Sequence, residues 1–195
     1  MKFNFVVLHY YWGNENIHYV GADYENDTFK AVSYLIRLGH RKIALIEGLS
    51  KARVTSKIVK GYKRALKDYN INIDQDIIVY ADYDYHKAYE TTRRILTKDP
   101  SVTSFFVGGY EMAPACLKAV KEAGLNVPQD ISIICYIDSE LMSLLDPPLT
   151  AVRLPYYDMG EKAAELLLEN HADKKKCIFE TELVIRDSTA SVRRC

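Results

Sequence analysis

Short apolar runs rich in β-formers alternate along this chain with longer segments of helical periodicity, and that alternation leaves few ways to fold. The runs at residues 42–47 (KIALIE), 102–107 (VTSFFV) and 131–135 (ISIIC) carry little of the polar alternation expected of a strand with one wet face. Strands that are apolar on both sides must be covered on both sides. Shorter runs at 3–8, 17–21, 77–80, 149–152 and 178–185 have strand length as well. Between them lie amphipathic segments. Asn26, Asp27 and Thr28 form an N-cap cluster ahead of Phe29, Val32, Leu35 and Ile36 at helical spacing, and Gly39 stands where a C-terminal glycine belongs. Val54, Ile58, Tyr62, Ala65, Leu66 and Tyr69 mark a second helix, 87–96 a third, and Met112 to Ala123 a fourth that closes at Gly124 and tolerates Pro114 in its first turn. Met159, Ala163, Leu166 and Leu167 mark a fifth. The expected class is α/β, with parallel sheet sandwiched between helices. No Pro/Ser/Gly-rich linker divides the chain, so two lobes would be interwoven rather than strung end to end.

Charge and cysteines narrow the function. The 195 residues hold 26 Lys plus Arg and 26 Asp plus Glu, a formal charge of zero. A chain that grips nucleic acid by itself normally carries a basic excess, because phosphate neutralisation supplies most of the binding. Cys116, Cys135, Cys177 and Cys195 lie 19, 42 and 18 residues apart, with no metal-ligand spacing and no disulfide framework. This usage suits a reducing compartment, and Cys116 and Cys135, in a predicted helix and a predicted strand, read as buried, inert thiols. The apolar start at residues 3–8 is broken by Asn4 and lacks a small-residue cleavage site, so it is not expected to be a secretion signal. No stretch approaches the roughly 20 apolar residues needed to cross a bilayer. A cytoplasmic protein is expected, without membrane partner, metal or cofactor.

Catalytic signatures are missing. There is no GxGxxG after a strand, no phosphate-loop GxxxxGK[ST] and no GxSxG elbow. The acids from Asp23 to Asp27 begin like a calcium loop, but Thr28 occupies the turn-glycine position and Tyr34 that of the closing acid. His9, His18, His40, His86 and His171 show no ligand clustering. Lys51, Arg53, Lys57, Lys60, Lys63, Arg64 and Lys67 form a run of seven cations without an acid. At helical spacing these fall mostly opposite the apolar face, as on any solvated helix.

Six segments in register resemble one family. LGHRKIALI at 38–46, KGYKRAL at 60–66 and GLNVPQDIS at 124–132 are followed by DPPLTAVR at 146–153, MGEKAA at 159–164 and TELVIRDST at 181–189. Together they are similar to the effector-binding core of LacI/GalR-type bacterial transcription regulators. The resemblance implies the type I periplasmic-binding-protein-like fold, no enzymatic activity, a homodimer, and a small-molecule effector bound between two lobes. Operator DNA would be held only by a helix-turn-helix headpiece that these residues lack. It also implies a nearly complete C-terminal lobe (24–152 and 176–195) and a partial N-terminal lobe (1–23 and 153–175) that exposes apolar surface.

By the same resemblance the effector would be met by Tyr10, Arg53, Ile58, Tyr83, Gly109, Tyr110, Ile137 and Asp138. Several of these depart from the family's pattern. Gly109 and Tyr110 replace an Asn-Asp pair. Ile58 stands where an arginine commonly grips the effector. Ile137 stands in place of a sugar-binding aspartate, with Asp138 one position on. A sugar cleft needs placed hydrogen-bond partners, whereas Tyr10, Tyr83 and Tyr110 offer flat faces for an aromatic or nucleobase-like ligand; packing is the alternative reading of these tyrosines. Met112, Cys116, Leu117 and Val120, with Leu141, Met142, Leu144 and Leu145, lie in segments that resemble the family's dimer-forming elements; simple core is the other reading of the first four, since one helical face cannot satisfy both a sheet and a partner. A cytosolic small-molecule carrier and a degenerate homologue without DNA-binding activity remain the alternatives.

Overall fold

The computed structural model describes residues 5–9, 17–168 and 175–192. Its larger sheet answers the doubly apolar runs. The strands are β3 (Ile43–Glu47), β4 (Ile78–Tyr80), β5 (Ser104–Val107), β6 (Ser132–Tyr136), β7 (Thr150–Arg153) and β9 (Glu182–Val184), in the order β4-β3-β5-β6-β7-β9. All pairs are parallel except β7 with β9. Because side chains alternate across a strand, each central strand feeds two cores. Ile43, Leu45, Phe106, Ile134 and Val152 point to one cluster. Ala44, Ile46, Phe105, Ile133, Cys135 and Ala151 point to the other.

Helices α1 (Tyr24–Arg37) and α2 (Arg53–Asp68) cover the first face through Val32, Leu35, Ile58, Tyr62 and Leu66. Helices α3 (Tyr85–Lys98) and α4 (Ala113–Glu122) cover the second through Ala88, Ile95, Cys116 and Val120. A smaller parallel sheet, β1 (Val6–Leu8), β2 (His18–Ala22) and β8 (Lys176–Phe179), runs in the order β1-β2-β8 and carries α6 (Tyr156–Leu168). Its Val20, Ala22, Met159 and Leu166 join the first cluster, so the two sheets share one core.

Several expectations shift. The cap of α1 is Asp23, whose carboxylate accepts from the Asn26 N–H at 3.2 Å; Asp27 and Thr28 lie inside the first turns and are buried. Tyr69 follows the last turn of α2 and is exposed rather than part of its apolar face. The extended run at 178–185 is two strands, not one. Its first half belongs to the small sheet, so the partition expected at residue 176 is corrected: β8 pairs with β2, and the chain crosses back only between β8 and β9. A short helix, α5 (Glu140–Leu144), occupies the segment read as a connection.

The cationic run is the outer face of α2. Lys60 and Arg64 pair with Glu25 at 2.9 and 3.3 Å, and the Arg64 guanidinium lies 4.1 Å over the Phe29 ring. Part of that run ties α2 to α1. His40 of the LGHRK segment is a buried joint, with Nδ1 2.9 Å from the Thr103 hydroxyl and Nε2 3.0 Å from that of Ser132.

Candidate functional site

In the large sheet the chain leaves β3 toward β4 on one side and then crosses back to β5 on the other. Such a reversal opens a crevice at the carboxyl ends of the two strands, where α/β proteins bind ligands. A cavity of about 310 Å³ lies there. Val54 and Ile58 of α2 form one wall, and Gly108, Tyr110 and Glu111 follow β5. Tyr136 and Ile137 close β6, while His9 and Tyr156 reach over from the smaller sheet and its helix. A larger hollow of about 840 Å³ sits at the opposite, amino ends of β5 and β6, among Val102, Thr103, Pro128 and Ile131. No strand reversal aims carboxyl-end loops into it, so the smaller cavity is the candidate site.

Local backbone geometry marks the same place. His9, Tyr83 and Ile137 all have positive φ, at 67°, 57° and 83°, and all line the cavity. A β-branched residue such as Ile137 pays for that conformation, and strain of this kind clusters at ligand sites.

The cavity floor is held by polar anchors. The Tyr24 hydroxyl donates to the His9 carbonyl at 2.7 Å and lies 2.8 Å from the ring Nδ1; burial lowers the pKa of this histidine, so its imidazole is neutral near pH 7. The Tyr136 hydroxyl donates to Asp27 Oδ2 at 3.2 Å. Burial raises the Asp27 carboxyl above its ordinary value against hydrogen bonds from Thr181 and Tyr136.

Glu47 ends β3 directly under this crevice. Its Oε2 accepts from the Gly48 N–H and the Thr55 hydroxyl, each at 3.1 Å, while the buried Oε1 has no partner. Burial pushes the carboxyl from 4.5 to about 7, the two hydrogen bonds offsetting only part of the cost. A methyl group at Gly108 would stand 1.8 Å from Oε1, and one at Gly48 would stand 2.1 Å from the Tyr83 ring. Both positions need glycine because something large already fills the place of the side chain.

Of the residues expected at the effector, Ile58, Tyr83, Tyr110 and Ile137 line the cavity. Gly109 adjoins it, facing Tyr83 and Glu111. Tyr10 lies outside the described residues. Arg53 opens α2 on the exposed surface and does not line the cavity. Asp138 does not line it either. Its carboxylate takes Arg186 at 2.9 Å on each oxygen and Arg153 at 2.8 Å. Burial alone would raise Asp138, but the two guanidinium groups outweigh it and hold the carboxyl below its ordinary range. Asp138 is thus engaged by two arginines and stands outside the cavity lining.

The dimer-forming set also divides. Met112, Cys116, Leu117, Val120 and Met142 are buried in the chain's own second core, and burial drives the Cys116 thiol up to about 12. A helix face already spent on its sheet has nothing left for a partner. Leu145 packs on the same core, and only Leu141 and Leu144, 42% and 73% exposed, remain at the surface. Sequence reasoning missed His9, Glu47, Glu111, Tyr136 and Tyr156. Tyr136 carried a signal, since it ends an apolar strand immediately before Ile137.

Comparison with known proteins fits this architecture. Residues 32–189 match the model of the periplasmic binding protein-like domain. The chain belongs to that family. Catabolite control protein A of Priestia megaterium is 39% identical over 149 residues, covering 76% of this chain and 45% of the relative. The transcriptional regulator CelR in its cellobiose complex superposes with a TM-score of 0.88 at 28% identity, over 94% of this chain and 58% of that one. A LacI family transcriptional regulator from Enterococcus faecium with bound ribose gives 0.89 at 27%, over 97% and 72%. The recognisable relatives of this periplasmic binding protein-like chain are thus LacI-type regulators. The chain spans about half the length of the curated relatives it matches. Among the described residues no helix is long and apolar enough to cross a membrane.

Proposed function

We propose that this chain is the effector-sensing and dimerisation core of a LacI-type transcription regulator, acting in the cytoplasm and performing no bond chemistry. A small molecule entering the cavity at the β3/β5 reversal shifts the balance between arrangements of the two sheets, and that shift alters how a headpiece outside these residues grips operator DNA. Support comes chiefly from the cavity, where side chains from both sheets meet: His9 and Tyr156 on one side, Ile58, Tyr110 and Ile137 on the other. The cellobiose and ribose complexes of structurally similar regulators fit the same reading. The zero formal charge, with Lys60 and Arg64 of α2 engaged by Glu25, favours DNA contact through other residues. Leu141 and Leu144 are the remaining candidates for contact with a second copy.

Native mass spectrometry and thermal denaturation against sugars, nucleosides and amines test this. At saturating ligand at least one class is expected to raise the melting temperature, since a ligand at 100 times its Kd stabilises by about 2.7 kcal/mol. Gly109→Trp, which would crowd the cavity-lining Tyr83 and Glu111, should abolish the shift. A shift that survives Gly109→Trp, or none from any class, overturns the reading.

A further inference from the structure

The chemistry around the cavity is of one sign. None of the described residues lining it is a lysine or arginine. His9 is neutral near pH 7. Glu111 lies on the wall, and the orphaned Oε1 of Glu47 sits behind Gly108, where only the missing side chain makes room for it. Tyr83, Tyr110, Tyr136 and Tyr156 also line the space. Aromatic faces and phenol oxygens both carry negative charge outward, which is how aromatic cages select ammonium groups.

An anionic ligand would meet Glu111 with no counter-charge. A neutral polyol could donate hydrogen bonds to Glu111 but would bring no charge to balance it. Resting on the effector reading above, we infer that the cleft takes an organic cation, a protonated amine or quaternary ammonium on an apolar frame. Glu111 supplies the counter-charge, Glu47 behind Gly108 offers an unpartnered Oε1 whose ionisation a bound cation would favour, and Val54, Ile58 and Ile137 receive the frame. The cationic head also answers the one unpartnered buried oxygen at the site. Burying a carboxylate is costly unless a positive group comes with it.

Calorimetric titration of the full 195-residue chain with choline and with 3,3-dimethyl-1-butanol, its uncharged isostere, reads the charge directly. Choline is expected to bind at least about tenfold tighter than the alcohol, as a desolvated cation–π contact implies. Glu111→Gln and Glu47→Gln should each weaken choline and leave the alcohol unchanged; Glu111 is exposed, so its variant tests the charge without disturbing the core. Equal binding of the two compounds, or choline affinity unmoved by both substitutions, overturns the inference. Cellobiose or ribose binding without choline binding overturns it while the effector reading stands. If none of the four binds, the cation inference fails, and the wider ligand screen decides whether the effector reading fails with it.

Discussion

Two acids stand at the same edge of the large sheet and have opposite surroundings. Asp138, just beyond β6, is enclosed by Arg186 and Arg153 and has every strong acceptor site used. Glu47, at the end of β3, is more deeply buried yet receives only one amide and one hydroxyl, both on the same oxygen. A charge of the first kind fastens a loop to β7 and the segment after β9. A carboxyl of the second kind is held in an environment that resists its ionisation and has spare capacity for a donor. The difference separates a satisfied acid from one with an open acceptor more sharply than residue type does, since both lie at the end of an apolar strand.

Breaking the better-satisfied pair should cost most. Arg186→Ala leaves Asp138 with only the half-exposed Arg153 and the Leu149 carbonyl without its donor, and urea denaturation should show a loss of about 3–4 kcal/mol, toward the low end for breaking a buried pair because Arg153 remains. A loss below 1 kcal/mol would remove the contrast with Glu47. The second prediction concerns pH. Glu47 is raised on folding from 4.5 to about 7, so its contribution is fully present below pH 4.5 and is lost as pH rises through 7. The span corresponds to about 3 kcal/mol. Glu47→Gln should remove that slope and be more stable than the parent at pH 8. Parallel slopes for the two proteins between pH 4.5 and 8 would mean that the carboxyl is not held as described. The smallest effect is expected at Lys60→Ala, whose exposed pair with Glu25 should contribute under about 0.5 kcal/mol and vanish in high salt.

The fold was legible because its signals are local. Doubly apolar strands such as 42–47 demanded cover on both faces, and the stripe Val54, Ile58, Tyr62 supplied it at helical spacing. Six short segments carried the family resemblance. What could not be read depended on partners distant in sequence. Nothing near residues 178–185 says that Phe179 pairs in one sheet and Leu183 in another. The apolar face of α4 looks the same whether it meets a sheet or a second copy. Ile58, Tyr83, Tyr110 and Ile137 were placed by resemblance and do meet at the cavity. Glu47 looked like the polar end of a strand, because its significance lies in Gly108, sixty-one positions on.

The two sheets are joined by three passages of backbone, each very short. Residue 23 alone separates β2 from α1, residues 154–155 lie between β7 and α6, and 180–181 lie between β8 and β9. Bodies on a single tether can drift and tumble. Three tethers of one or two residues leave almost no slack, so the sheets cannot separate or slide far without unpicking strand pairs. What survives is a small rotation shared by all three links at once. Such a joint converts a local push into one coordinated turn, and a ligand seated beside it needs little displacement to be registered across the whole chain.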